Sequence, residues 1–158
     1  MTKRYSISVT NLNRSYRIDK GMVERIAGRI LRSKVRSGMV ALDMVFLSDA
    51  RIRRFNRIYK NSDRPTDVLS FGLYPPAGRG QPAAAQVLIS VDRAVMSAPR
   101  YGSSASRELV LYIIHGLLHL VGYEDEEPVR KREMAREEER LIRDLWTRED
   151  LSKVLTRR

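Results

Sequence analysis

One segment constrains this chain more than any other. Arg107 to Val121 reads RELVLYIIHGLLHLV, apolar on nearly every side of a helix, so in a soluble fold it has to lie at the centre. No stretch of the sequence approaches the roughly 20 apolar residues that crossing a bilayer takes. The segment therefore predicts a central buried helix rather than a membrane span. Ser104 or Ser106 can cap its start, and Gly122 stops it.

The rest of the chain must cover that helix. Tyr5 to Thr10 (YSISVT) alternates with period two as a half-buried strand does, and residues 39–47 (MVALDMVFL) read as a more deeply buried one. Between them Met22, Val23, Ile26, Ala27, Ile30 and Leu31 share one face of a helix whose other face carries Glu24, Arg25, Arg29 and Arg32. Ser48 or Asp49 can cap a second helix, with Ile52, Phe55 and Tyr59 expected inward and Arg53, Arg57 and Lys60 forming a basic stripe toward solvent or a ligand. Val68–Leu73 and Val87–Val91 predict two more strands, separated by the exposed loop YPPAGRGQPAAAQ. A last helix, packed on one side, runs from Glu126 to about Trp146. With 158 residues, 42% of them hydrophobic, one core is expected. The expectation is a single α+β domain over residues 1–158: a small mixed four-stranded sheet packed with helices around the central one.

Cysteine is absent, so no disulfide holds the fold and any metal must be bound by imidazole and oxygen. Thirty Lys and Arg against nineteen Asp and Glu give a formal charge of +11. Such a surface concentrates polyanions, nucleic acid before anionic membrane, although a solvated arginine-rich surface would look the same. The first residues, MTKRYSISVTNLNRSYR, hold no apolar signal core, which predicts a cytoplasmic protein without a membrane partner.

His115 and His119 are the chain's only histidines, and their i,i+4 spacing puts both imidazoles on one face of the central helix. Buried without a metal, each would need a hydrogen-bond partner to offset desolvation. A straight helix would carry Asp125 roughly 240° round from His119. Gly122 changes this, because a left-handed glycine reverses the chain and returns Tyr123, Glu124 and Asp125 toward the histidine face. Asp125 then becomes the third ligand of one divalent ion, zinc before others, with a fourth position open to water as in catalytic sites. Gly116 interrupts the same helix, either because something approaches the backbone beside the metal face or because the helix packs closely there.

The string HGLLHLVGYED, residues 115–125, resembles the HGxLHLxGYDH signature of the YbeY family, bacterial metal-dependent endoribonucleases of rRNA maturation and ribosome quality control. His115, Gly116, Leu118, His119, Leu120, Gly122 and Tyr123 match. Glu124 replaces the usual Asp, and Asp125 stands where a third metal-binding histidine is expected. A His-His-Asp set is chemically sound but harder and more anionic than three imidazoles. Upstream, NRIYKNSDRPTDVLSF, Asn56 to Phe71, resembles the family's N-x-x-Y-R-x-x-D-x-P-T-D-V-L-S-F segment. Lys60 holds the place of the family's cleft arginine, keeping the charge and losing the planar bidentate contact. Asp67 is read either as a residue that orients a ligand or acts as a base, or as part of an ordinary lead into a strand. The family's Gly-Asp pair before the next strand is replaced by Ala85 and Gln86, while Ser90 and Glu108 fit less specific family positions.

The resemblance implies an endoribonuclease acting on single-stranded RNA, with ribosomal RNA and the small ribosomal subunit as partners. The expected catalytic residues are His115 and Lys60, the expected metal ligands His115, His119 and Asp125, and the expected substrate contacts Lys60, Asp67, Arg57 and Arg53. The metal would polarise a phosphoryl oxygen or water while Lys60 stabilises charge on the phosphate. A ribosome-binding assembly factor with a mainly structural metal is the alternative. A zinc protease is a weaker rival, since Gly116 occupies the place of the HExxH glutamate and cannot transfer a proton.

Overall fold

The computed structural model describes residues 4–36, 38–72 and 83–158. In chain order its elements are Tyr5–Asn11 (β1), Tyr16–Ile18 (β2), Lys20–Lys34 (α1), Val40–Leu47 (β3), Asp49–Lys60 (α2), Val68–Gly72 (β4), Ala83–Ser90 (β5), Val91–Ser97 (α3), a 3₁₀ turn at Ala98–Tyr101, Ala105–Leu120 (α4), Pro128–Arg148 (α5) and Leu155–Arg157 (β6). The main sheet has the order β1-β3-β5-β4. β1 and β5 run parallel to β3, while β4 lies antiparallel on the edge of β5. β2 and β6 form a separate antiparallel pair.

The sheet's two faces are covered unequally. On one, Met44, Phe46 and Ile89 meet Ile26 and Ile30 of α1 and Leu109, Ile113, Ile114 and Leu117 of α4, all 0 or 1% exposed. Burying each such side chain contributes roughly 1.5–3 kcal/mol, and this cluster makes α4 the centre of the core, as its composition predicts. On the other face α2 covers only a small patch around Leu47, Ile52, Leu69 and Leu88. The remainder of that face is polar: Ser8 Oγ and Gln86 Nε2 both donate to the Asp43 carboxylate, at 2.8 and 3.0 Å.

This thin cover overturns one expectation about α2. Ile52 is buried, but Phe55 and Tyr59 are 36% and 60% exposed. The second buried position is Asn56, whose side chain donates to Arg64 O at 2.8 Å and ties down the following turn. Ile52 and Asn56 are the only buried residues of α2; Tyr59 reaches the sheet at its edge, against Phe71, and stays largely in solvent.

β5 begins at Ala83, ahead of the expected Val87. Alanine has low strand propensity, yet Ala83–Ala85 pair in register with Val40–Leu42, and a neighbouring strand overrides propensity. Val91, read as the last strand residue, instead opens α3, whose start is capped by Ser90 Oγ accepting from Arg93 N at 3.2 Å. β4 ends at Gly72, with φ 90°; the expected strand end at Leu73 and most of the expected loop, residues 74–82, lie outside the described residues. Ser48 caps α2 and Ser104 caps α4, whereas Ser106 is buried and donates to Ser152 O at 2.8 Å, helping to seat the C-terminal segment. α5 starts at Pro128, a residue suited to a first helical position.

Candidate metal centre

The site is made by the way α4 ends. Gly122 adopts φ 101°, its N–H donates to His119 O at 3.2 Å, and Tyr123 N–H donates to Leu118 O at 3.0 Å. These two bonds are the Schellman closure of a helix C-terminus, and they turn the chain back as the glycine predicts. Asp125 is thereby brought over the histidine face. His115 Nε2 and His119 Nε2 lie 3.0 Å apart, and each is 3.6 Å from Asp125 Oδ2.

The far nitrogens decide what those three atoms can do. His115 Nδ1 donates to Glu138 Oε1 of α5 at 2.5 Å, and His119 Nδ1 donates to the Tyr123 carbonyl at 3.0 Å. Both partners only accept, so each Nδ1 carries the hydrogen and each Nε2 presents a lone pair. Two lone pairs and a carboxylate oxygen thus converge on one point, an arrangement that repels itself until a cation enters. Tetrahedral zinc with bonds of about 2.0–2.1 Å would hold its ligand atoms about 3.3 Å apart, between the observed separations. The three residues fit a divalent ion without rearrangement.

Electrostatics favour positive charge at the same point. Burial on its own lowers the His115 pKa, but the hydrogen bond to Glu138 and the charges of Glu138, Asp67 and Asp125 outweigh it, and the net shift is upward. Behind the histidines, Lys34 Nζ donates to the Tyr123 hydroxyl at 3.0 Å and pairs with Glu137 at 2.8 Å. Tyr123, whose carbonyl orients His119, is therefore fixed from α1 and α5 together.

Gly116 is explained by packing. A Cβ there would sit 2.7 Å from Val87 Cγ1 and 2.8 Å from Val68 Cγ2, and Ser70 Oγ donates to Gly116 O at 2.8 Å. β4 and β5 press directly against α4 at this residue. The same closeness leaves no room for a glutamate beside His115, which removes the structural basis for the protease reading.

The other expected residues are distributed differently. Asp67 Oδ1 accepts from Val68 N at 2.9 Å and from Thr66 Oγ1 at 3.2 Å, so its carboxylate stabilises the entry to β4, close enough to raise the His115 pKa. Arg53 makes a two-pronged pair with Asp63, at 2.9 and 3.0 Å. Arg57 and Lys60 are exposed in the last turn of α2. Ser90 donates to Asp49 Oδ1 at 2.6 Å and Glu108 is buried within α4. Glu124 is drawn to Arg130 rather than to the histidines.

Sequence reasoning missed Glu138, Glu137 and Lys34. Nothing local distinguishes Glu138 within the charged run REMAREEER; only the packing of α5 on α4 selects it. An open groove of about 1010 Å³ against α1 and β1 is lined by none of the three candidate ligands.

The profile of the family described as Endoribonuclease YbeY matches residues 8–146. Among curated relatives, Endoribonuclease YbeY of Roseiflexus castenholzii is 37% identical over 79% of this chain and 82% of its own length. That of Anaeromyxobacter sp. is 40% identical over 75% of this chain and 65% of its own, and that of Pelotomaculum thermopropionicum 33% identical over 86% and 94%. The solution structure of TM1509 from Thermotoga maritima shares the fold, with a TM-score of 0.63 at 22% identity over 90% of this chain and 91% of that one.

Proposed function

This chain belongs to the Endoribonuclease YbeY family, and on that premise we propose that it is a metal-dependent endoribonuclease acting on single-stranded RNA. Its proposed setting is the cytoplasm, in ribosomal RNA maturation and ribosome quality control, with the small ribosomal subunit as partner. None of the helices in the described residues is long and apolar enough to cross a membrane, which is compatible with that setting.

The observation that carries the reading is the convergence of His115 Nε2, His119 Nε2 and Asp125 Oδ2 at separations of 3.0 to 3.6 Å. The proposed occupant is one zinc ion per chain, since three protein ligands leave a position open. A divalent ion there supplies Lewis-acid polarisation to a phosphodiester oxygen or to water. Glu138 and Tyr123 hold the imidazoles in the tautomer that ligation needs. Lys60 and Arg57 offer positive charge to the phosphates, Arg53 joins them if its pair with Asp63 opens, and Asp67 acts through its field on His115 and through the strand it starts.

One observation favours the second reading, an assembly factor with a mainly structural metal. The Asp125 side chain is 42% exposed, and no described residue donates a hydrogen bond to it, so the third ligand is the least firmly held. Elemental analysis of purified wild type and His119→Ala, both checked for folding by circular dichroism, tests the metal. A parallel assay follows cleavage of a single-stranded RNA. About one zinc per wild-type chain, lost with cleavage in the variant, supports the nuclease. Metal without cleavage turns the conclusion to the assembly factor, and a folded, metal-free wild type sinks both.

A further inference from the structure

α2 carries more than a basic stripe. Its outward surface holds Arg51, Arg54, Arg57 and Lys60, all exposed, and the described residues provide none of these four with a salt bridge; the acid of its first turn, Asp49, is committed to Ser90 and Arg93. Set among these cations are Phe55 and Tyr59, whose rings lie nearly parallel, 7° apart in plane with centroids at 6.4 Å. Tyr59 in turn contacts Phe71 of β4 at 4.9 Å. Ile58 beside them is 69% exposed. A contiguous group of exposed rings and aliphatic side chains marks an interaction surface, and cations interleaved with it fit a polyanion that has flat faces of its own.

Place in the fold gives this surface a direction. β4 is the edge strand of the sheet. Val68 and Ser70 face Gly116 of α4, the neighbour of His115, while Leu69 and Phe71 face the α2 side. A ligand lying across that single edge touches the rings on one side and approaches the histidine cluster on the other.

We propose that Phe55 and Tyr59 form a stacking platform for unpaired bases of single-stranded RNA, with Arg54 and Arg57 on the flanking phosphates, feeding the strand over the β4 edge to the metal cluster. The proposal rests on the nuclease reading above for its substrate and names the element that selects unpaired RNA. Base–aromatic stacking tolerates any sequence, and a duplex, whose bases already stack on one another, cannot use the platform.

The test is equilibrium binding of a fluorescent single-stranded RNA of about a dozen nucleotides, with metal chelated to prevent cleavage, beside an abasic strand of equal length. The full-length wild type, Tyr59→Ala, Tyr59→Phe and Phe55→Ala are compared, with folding checked by circular dichroism. Wild type is expected to prefer the strand with bases. Tyr59→Ala should weaken that binding roughly 5- to 100-fold, the scale of one lost base–aromatic stack, and leave abasic binding unchanged. Tyr59→Phe should retain the preference, and Phe55→Ala should reduce it. Equal binding of both strands by wild type, or an unaltered preference in both alanine variants, overturns the platform while leaving the nuclease reading intact. Self-association of wild type that disappears in Tyr59→Ala, with RNA binding unaffected, would assign the rings to a second copy of the chain and overturn it too. Absence of RNA binding by wild type even at low salt defeats the nuclease reading, and the platform with it.

Discussion

The two ends of this molecule's chemistry are built in opposite ways. The His115, His119 and Asp125 cluster is held by contacts from many parts of the chain: α4 supplies the imidazoles, its glycine closure brings Asp125, α5 supplies Glu138, and α1 and α5 secure Tyr123. α2 is buried only at Ile52 and Asn56, with Asp49 tied to Ser90 and Arg93 and Tyr59 against Phe71 at the sheet edge, and most of its other side chains stand in solvent. A reactive centre needs atoms fixed within a fraction of an ångström and takes that precision from packing. A surface that meets a flexible polyanion needs charge and flat rings in reach, and exposure serves it better than burial.

Substitutions at the cluster should therefore be severe and those on α2 mild, unless the readout is RNA itself. The largest effect is expected for His119→Ala, which should abolish metal binding and RNA cleavage in a folded protein, as metal analysis and a cleavage assay would reveal. Next, Glu138→Ala should lower metal affinity by about 10- to 100-fold, the usual cost of losing the partner of a ligating histidine, measurable by competition with a chelator. If Glu138→Ala binds metal as wild type does, the tertiary support claimed for the cluster is unnecessary.

Gly116→Ala tests the packing beneath the cluster. Alanine favours a helix by about 1 kcal/mol over glycine, but overpacking against Val68 and Val87 typically costs about 1–3 kcal/mol, so thermal unfolding should show a net loss of stability. A gain would mean that β4 yields easily and that the centre is less rigid than the contacts imply.

Acid stability probes the support from α1. Arg140 and Lys34 hold the Glu137 carboxyl at about 2, below its usual 4.5. A depressed folded pKa contributes stability that is present above the unfolded value and lost as pH falls through the folded one. Unfolding free energy should decline between about pH 4.5 and 2, and Glu137→Gln should flatten that decline. The smallest effect on folding is expected for Arg57→Gln: less than about 0.5 kcal/mol in stability, as at ordinary surface sites, together with a slope of RNA affinity against salt reduced by about 1.

The central helix, the convergence of His115, His119 and Asp125 and the four main strands were legible in the sequence because each rests on local chemistry. An apolar helix has to be buried, i,i+4 histidines share a face, and a glycine at a helix end turns the chain. Where the reading failed, the deciding contact was distant in sequence. Phe55 and Tyr59 fit an inward stripe by period, yet Tyr59 meets only the sheet edge, at Phe71, and both rings stay exposed. Ala83–Ala85 look like loop until β3 pairs with them, and the role of Glu138 exists only because α5 lies along α4. By itself the sequence determined the buried helix, the histidine pair and the reversal that brings Asp125 over the histidines, because backbone geometry over a few residues suffices for each. Only the tertiary structure decided which carboxylate steadies His115, why residue 116 is glycine and which face of α2 stays bare, because those depend on which surfaces remain for each helix to bury.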